Sequence, residues 1–121
     1  MSEIERSARL AREWMRAFNA YDVDALVALY HPDATHTSPK IRALHPDTGG
    51  RLVGREAIAA WWRGAIGRTP GLRYEETALT ASAERVVLEY VRHADGEPPM
   101  PVAEAFDVES GRVRASRVFH G

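Results

Sequence analysis

The stretch VAEAFDVESGRVRASRVF, residues 102–119, reads as two β-strands folded about Ser110 and Gly111. A Ser-Gly pair between two alternating apolar runs is a signal for a two-residue hairpin. With Glu109 paired to Arg112, counting outward sets Val108 opposite Val113, Phe106 opposite Ala115 and Glu104 opposite Arg117. Period-two alternation then gathers Val102, Glu104, Phe106, Val108, Val113, Ala115, Arg117 and Phe119 on one face. Asp107, Glu109, Arg112, Arg114, Ser116 and His120 share the other. The first face is the apolar one, so Glu104 and Arg117 are expected inside it as a pair, because breaking a buried ion pair costs about 3–5 kcal/mol. Such a pair is either a structural device or the polar end of a pocket.

Three further strand-like stretches and three helical ones precede this hairpin. LRYEETALTAS (72–82), ERVVLEYVRHA (84–94) and the short piece ATHTS (34–38) are β-prone runs bounded by turn signals. On the second, Tyr90 shares a face with Val86 and Leu88, and Glu89 points the other way. Ser2 and Glu5 have capping-box spacing, and Ile4, Ala8, Ala11, Trp14, Met15 and Phe18 recur on one helical face, which predicts a helix over about residues 3–19. Asp22 can cap a second, shorter helix with Val23, Leu26, Val27 and Tyr30 in its stripe, broken by His-Pro-Asp at 31–33. Beyond Gly54, Ile58, Trp61, Trp62, Ala65 and Ile66 keep helical spacing until Thr69-Pro70-Gly71. Residues 39–53, with two prolines and a Gly pair, read as a long flap-like loop. Helices first and a meander second imply a single α+β domain: three N-terminal helices packed on a curved antiparallel sheet.

Composition narrows the function classes. At 121 residues the chain suits one compact domain, and 45% hydrophobic with 27% charged residues is ordinary for a packed core. Sixteen Lys and Arg scattered against 17 Asp and Glu give no phosphate-neutralising surface, so nucleic acid is not an expected partner. The absence of cysteine excludes disulfides, a thiolate nucleophile and Cys-ligated metal, and suits a cytoplasmic protein. No membrane-spanning or signal-like run is present, so no membrane partner is expected. His31, His36, His45, His93 and His120 show no metal-binding spacing, so no metal or other cofactor is expected.

AFNAYDVDALVALYHPDATHTSP, the helix GREAIAAWW and the closing hairpin ending in RVFHG make the chain resemble the nuclear transport factor 2-like superfamily. This is the cone fold of ketosteroid isomerases, SnoaL-type polyketide cyclases and limonene epoxide hydrolases. The resemblance implies a deep apolar pocket inside the cone, a small apolar or amphipathic ligand, and a homodimer formed through the sheet. The tyrosine of the isomerase pattern falls at Trp14, its general-base aspartate at Ser38 and its protonated acid at Glu104. Indole has no useful acidity and a lone serine is a poor base, so ketosteroid isomerisation itself is not expected. A cation at Arg117 would also hold Glu104 ionised.

The expected reactive set is Glu104 with Arg117 to orient and charge-stabilise, His36 to shuttle a proton and Tyr90 to donate a hydrogen bond. Trp14, Phe18, Tyr30, Ser38, Trp61, Trp62, Phe106 and Phe119 are the expected ligand-contacting residues. Trp61 and Trp62 lie about 100° apart on their helix, so at most one is expected to line the pocket. Two functions fit: a cofactor-free isomerase, cyclase or hydrolase, or a ligand-binding or dimerisation module without chemistry.

Overall fold

The computed structural model describes residues 1–121. The chain runs α1 (Glu3–Asn19), α2 (Val23–Ala28), β1 (Tyr30–Thr37), α3 (Pro39–Leu44), a 3-10 turn (Pro46–Thr48), β2 (Arg51–Val53), α4 (Arg55–Arg68), then β3 (Arg73–Ala81), β4 (Arg85–His93), β5 (Met100–Glu109) and β6 (Arg112–His120). The strands form one sheet in the order β2-β1-β6-β5-β4-β3. All neighbours are antiparallel except β1 and β6, which run parallel. The helices are packed on this curved, unclosed sheet, α1 over β3 and β4 and α4 over β1 and β2. The α+β architecture expected from the sequence is the one observed.

The local causes follow the expected chemistry at the helix starts. Ser2 and Glu5 close a reciprocal capping box on α1, and Asp22 accepts from the Ala25 backbone N–H to start α2. The helix count differs, because the expected flap at 39–53 contains α3, the 3-10 turn and β2. Ser38 caps α3 by accepting from the Lys40 N–H, and Pro39 takes the first helical position, where its missing N–H is not needed. β1 also begins earlier than the ATHTS run, at Tyr30. Its register breaks between Tyr30 and Thr35, where Pro32 supplies no ladder donor.

The core lies between helices and sheet. Trp14, Phe18, Leu26, Tyr30, Ile58, Leu88, Tyr90 and Phe106 are essentially sealed from solvent. Trp14 is its aromatic centre, stacked on Phe18 at 5.5 Å and edge-on to Phe106 at 5.1 Å and Trp62 at 6.3 Å. Truncating such a residue to alanine typically costs about 3–5 kcal/mol.

The closing hairpin turns where expected, with both Ser110 and Gly111 at positive φ (51° and 77°) and Glu109 paired to Arg112. Its register then departs from simple counting. Val108 pairs with Val113, but Asp107 pairs with Ala115, so Arg114 is an extra residue on β6. Beyond that bulge every β6 side chain has changed face. Glu104 lies opposite Val118, not Arg117, and Phe106 lies opposite Ser116. Arg117 points to the outer face, where it donates to Asp107 at 2.8 Å. Phe119 follows it outward and is 55% exposed. The expected buried Glu104–Arg117 pair therefore does not exist, and Ser116 takes the inner position.

Candidate functional site

The inward faces of β4, β5 and β6 form the floor of a cavity of about 380 Å³. That volume is in the usual range for small-molecule pockets. On β4 the buried positions are Val86, Leu88, Tyr90 and Arg92; on β5 they include Val102, Glu104 and Phe106. Trp14 and Phe18 of α1, Trp61, Trp62 and Ala65 of α4, and Leu72 and Tyr74 at the start of β3 supply apolar wall. His36 of β1 and Ser38, the α3 cap, close the remaining side.

Glu104 is the chemical centre of this cavity, 1% exposed on the apolar floor. Tyr90 donates to its Oε1 at 2.8 Å, while Oε2 is sealed from solvent and has no hydrogen-bond partner. Burial pushes its pKa up to about 8, outweighing the lowering effect of the Tyr90 bond. With no cation against it, Glu104 is a neutral carboxylic acid at neutral pH. Because Tyr90 occupies Oε1 as a donor, the acid proton belongs on Oε2. Burial also raises the Tyr90 phenol, which stays un-ionised.

A second line of hydrogen bonds fixes His36. Trp14 donates from Nε1 to the Tyr30 hydroxyl at 3.1 Å, and that hydroxyl donates to Ser116 Oγ at 2.8 Å. Ser116 Oγ lies 2.6 Å from His36 Nδ1 and has no other acceptor for its proton. With Tyr30 donating to Ser116, the acceptor left for the Ser116 proton is Nδ1, and the neutral imidazole then carries its own proton on Nε2. Burial lowers the His36 pKa to about 4, which keeps the ring neutral. Nε2 makes no hydrogen bond within the protein, so it is a donor available to the cavity. Glu104 Oε2 stands 3.9 Å from Nδ1, too far for a hydrogen bond and, with both groups neutral, not an ion pair. His36 is thus set to donate to a ligand rather than to accept a proton.

The geometry sorts the expected residues. Glu104, Tyr90, His36, Trp14, Phe18, Ser38, Trp61 and Trp62 line one cavity, and both tryptophans of α4 do so where one was expected. Tyr30 and Phe106 lie behind its wall, packed against Trp62 at 5.3 Å and Trp14 at 5.1 Å. Arg117 and Phe119 are on the outer face. Sequence reasoning missed three residues. Ser116 was hidden by the bulge. Tyr74, stacked on Tyr90 at 4.2 Å and Phe18 at 4.0 Å, carried no signal beyond β propensity. Arg92 was readable, being two residues past Tyr90 and hence on the same inward face.

The family model for the SnoaL-like domain matches residues 11–116. The chain belongs to that family. Among solved structures, this SnoaL-like domain is similar to a SnoaL-like protein of unknown function from Burkholderia thailandensis, at 30% identity over 97% of this chain and 95% of that one, with a TM-score of 0.86. It shares the fold of a polyketide cyclase-like protein from Xanthomonas campestris pv. campestris (24% identity, 99% and 93% covered, TM-score 0.83). The same holds for a ketosteroid isomerase-like protein from Kribbella flavida (20% identity, 100% and 82% covered, TM-score 0.81). No protein with a curated description matches the sequence. No helix of the SnoaL-like domain is long and apolar enough to cross a membrane. The three positions of the isomerase pattern, Trp14, Ser38 and Glu104, all border its cavity.

Proposed function

We propose that this SnoaL-like domain takes up a small, largely apolar carbonyl compound and promotes proton transfer on it without a cofactor, as an isomerase or cyclase does. One observation carries the reading: a neutral carboxylic acid whose Oε2 is buried, unpartnered and at the cavity floor. An unpaired buried polar atom is unfavourable in an empty site, and a ligand oxygen would relieve that. Glu104 Oε2–H would donate to that oxygen, and His36 Nε2–H, on the same cavity, would add a second donor for the negative charge that develops there. Tyr90 holds the carboxyl in place. The carbon-bound proton leaves to water, since the position of the isomerase base is Ser38.

The lack of a base at that position favours a second reading, a pocket that binds without reacting. The two separate cleanly on 2-tetralone, a bicyclic ketone with exchangeable α-protons. Proton NMR in deuterated buffer should show α-deuteration faster with the protein than without it. Glu104→Gln should keep binding and lose about 10²-fold or more of the acceleration, the usual contribution of a positioned acid. Binding with no acceleration leaves the non-catalytic reading in place, and equal rates for the two proteins remove Glu104 from the mechanism.

A further inference from the structure

The cavity mouth is cationic, although the whole chain carries a net charge of −1. Lys40, Arg68, Arg92 and His120 border the opening, and Glu97 is the one acid there besides the neutral Glu104. Lys40 on α3 and Arg68 at the end of α4 have no carboxylate partner; Arg68 lies over the Trp61 ring at 5.2 Å. Arg92 is the unusual member. Its side chain is nine-tenths buried, yet of its five N–H donors only Nη1 is used, in a 2.6 Å bond to Glu97. Glu97 is itself 45% exposed, so the guanidinium is anchored by a group at the solvent edge, and its other donors stay unused on a side chain that lines the cavity. Three cations against one carboxylate leave two positive charges where a ligand must enter.

We infer that the ligand is amphipathic: an organic acid whose apolar body and oxygen acceptor fill the cavity while its carboxylate is held at the mouth by Arg92, Lys40 and Arg68. This rests on the proposed use of the pocket and narrows it to a substrate class. A planar guanidinium with free parallel donors matches a carboxylate bidentately, and partial desolvation at the mouth strengthens the bond. Lys40 and Arg68 contribute as point charges on flexible stems. Glu97 orients Arg92 and opposes acids that lack an apolar body to anchor them, a discrimination by repulsion.

The test compares 2-naphthylacetate with 2-naphthylacetamide, which share one apolar body and differ in charge, using quenching of tryptophan fluorescence. The acid is expected to bind at least about tenfold more tightly than the amide at low ionic strength, with the preference shrinking as salt is added. Arg92→Met should abolish the preference while the amide still binds. Because Arg92 is buried, the exposed pair Lys40→Ala/Arg68→Ala provides a second reading and should reduce the preference severalfold without disturbing the core. Equal affinity for acid and amide in the wild-type protein overturns the carboxylate assignment and leaves the pocket standing. Failure of both molecules to bind overturns the pocket reading itself, and this one with it.

Discussion

Glu104 and His36 make opposite contributions to the pH dependence of stability, and the sign of each follows from its burial. Glu104 keeps its proton in the folded chain up to about pH 8, whereas its ordinary value is 4.5. Between those limits the unfolded chain has released a proton that the folded chain retains. Folding stability attributable to this group is therefore complete at acid pH and declines by about 1.4 kcal/mol per unit as pH rises toward 8. His36 does the reverse: its ordinary value of 6.5 falls to about 4, so its contribution is lost as pH drops through that window. The two slopes cancel between about pH 4.5 and 6.5, and above that only the Glu104 decline remains. Denaturant unfolding of wild type and Glu104→Gln should show their stability difference shifting in favour of the variant by roughly 1 kcal/mol per unit up to about pH 8 and then levelling. A difference that does not change with pH would mean that Glu104 is ionised throughout, and the neutral-acid chemistry would go with it.

At the scale of elements, the β6 bulge sets which chemistry faces the cavity. One extra residue, Arg114, lets the hairpin keep its Ser110–Gly111 turn while Ser116 and Val118 turn inward and Arg117 and Phe119 outward. Arg114 also ties the bulge down, donating to Asp33 and Glu109. Deleting Arg114 restores the simple count and would force the Arg117 guanidinium against the core. The deletion should abolish cooperative unfolding by near-ultraviolet circular dichroism, since an unpaired buried charge costs several kcal/mol against a total stability of about 5–15 kcal/mol. A folded deletion protein would show that the sheet tolerates either register. This element also marks where the sequence stopped being legible. Alternation and turn chemistry were enough to find the helices from Ser2, Asp22 and Gly54, the meander, and the inward position of Glu104, because each depends on local period and capping. A bulge has no such local signature in VRASRV; it is decided by what the finished sheet can bury. Pro39–Leu44 is a different case: Ser38 as cap and Pro39 at the first helical position are local start signals, which the two prolines and the Gly pair of the loop reading masked. His36 and Tyr90 were placed correctly because their strands are regular there, and Arg92 was available from the same alternation.

For the whole molecule, the cavity is a place where stability has been set aside. A domain of this size could close its core with apolar side chains; instead it keeps a 380 Å³ space, a protonated acid with one idle oxygen, and a buried arginine with four idle donors. Replacing both members of a buried polar pair by apolar residues of similar shape is often neutral or stabilising, whereas removing one leaves the other unpaired. The double variant Glu104→Leu/Tyr90→Phe removes the carboxyl and the phenol together and leaves the Trp14–Tyr30–Ser116–His36 line intact. Its stability at pH 7.5 should rise by about 1–3 kcal/mol, with the melting temperature climbing by roughly 3–5 °C for each kcal/mol in a domain of this length. The gain should be larger at pH 8 than at pH 5, since the acid being removed is the group whose ionisation burial opposes. Acceleration of α-deuteration in 2-tetralone should disappear in the same protein. Calorimetry decides the matter: a lower melting temperature than wild type at both pH values would make the Tyr90–Glu104 bond a structural support, and the idle oxygen would then need an explanation other than a ligand.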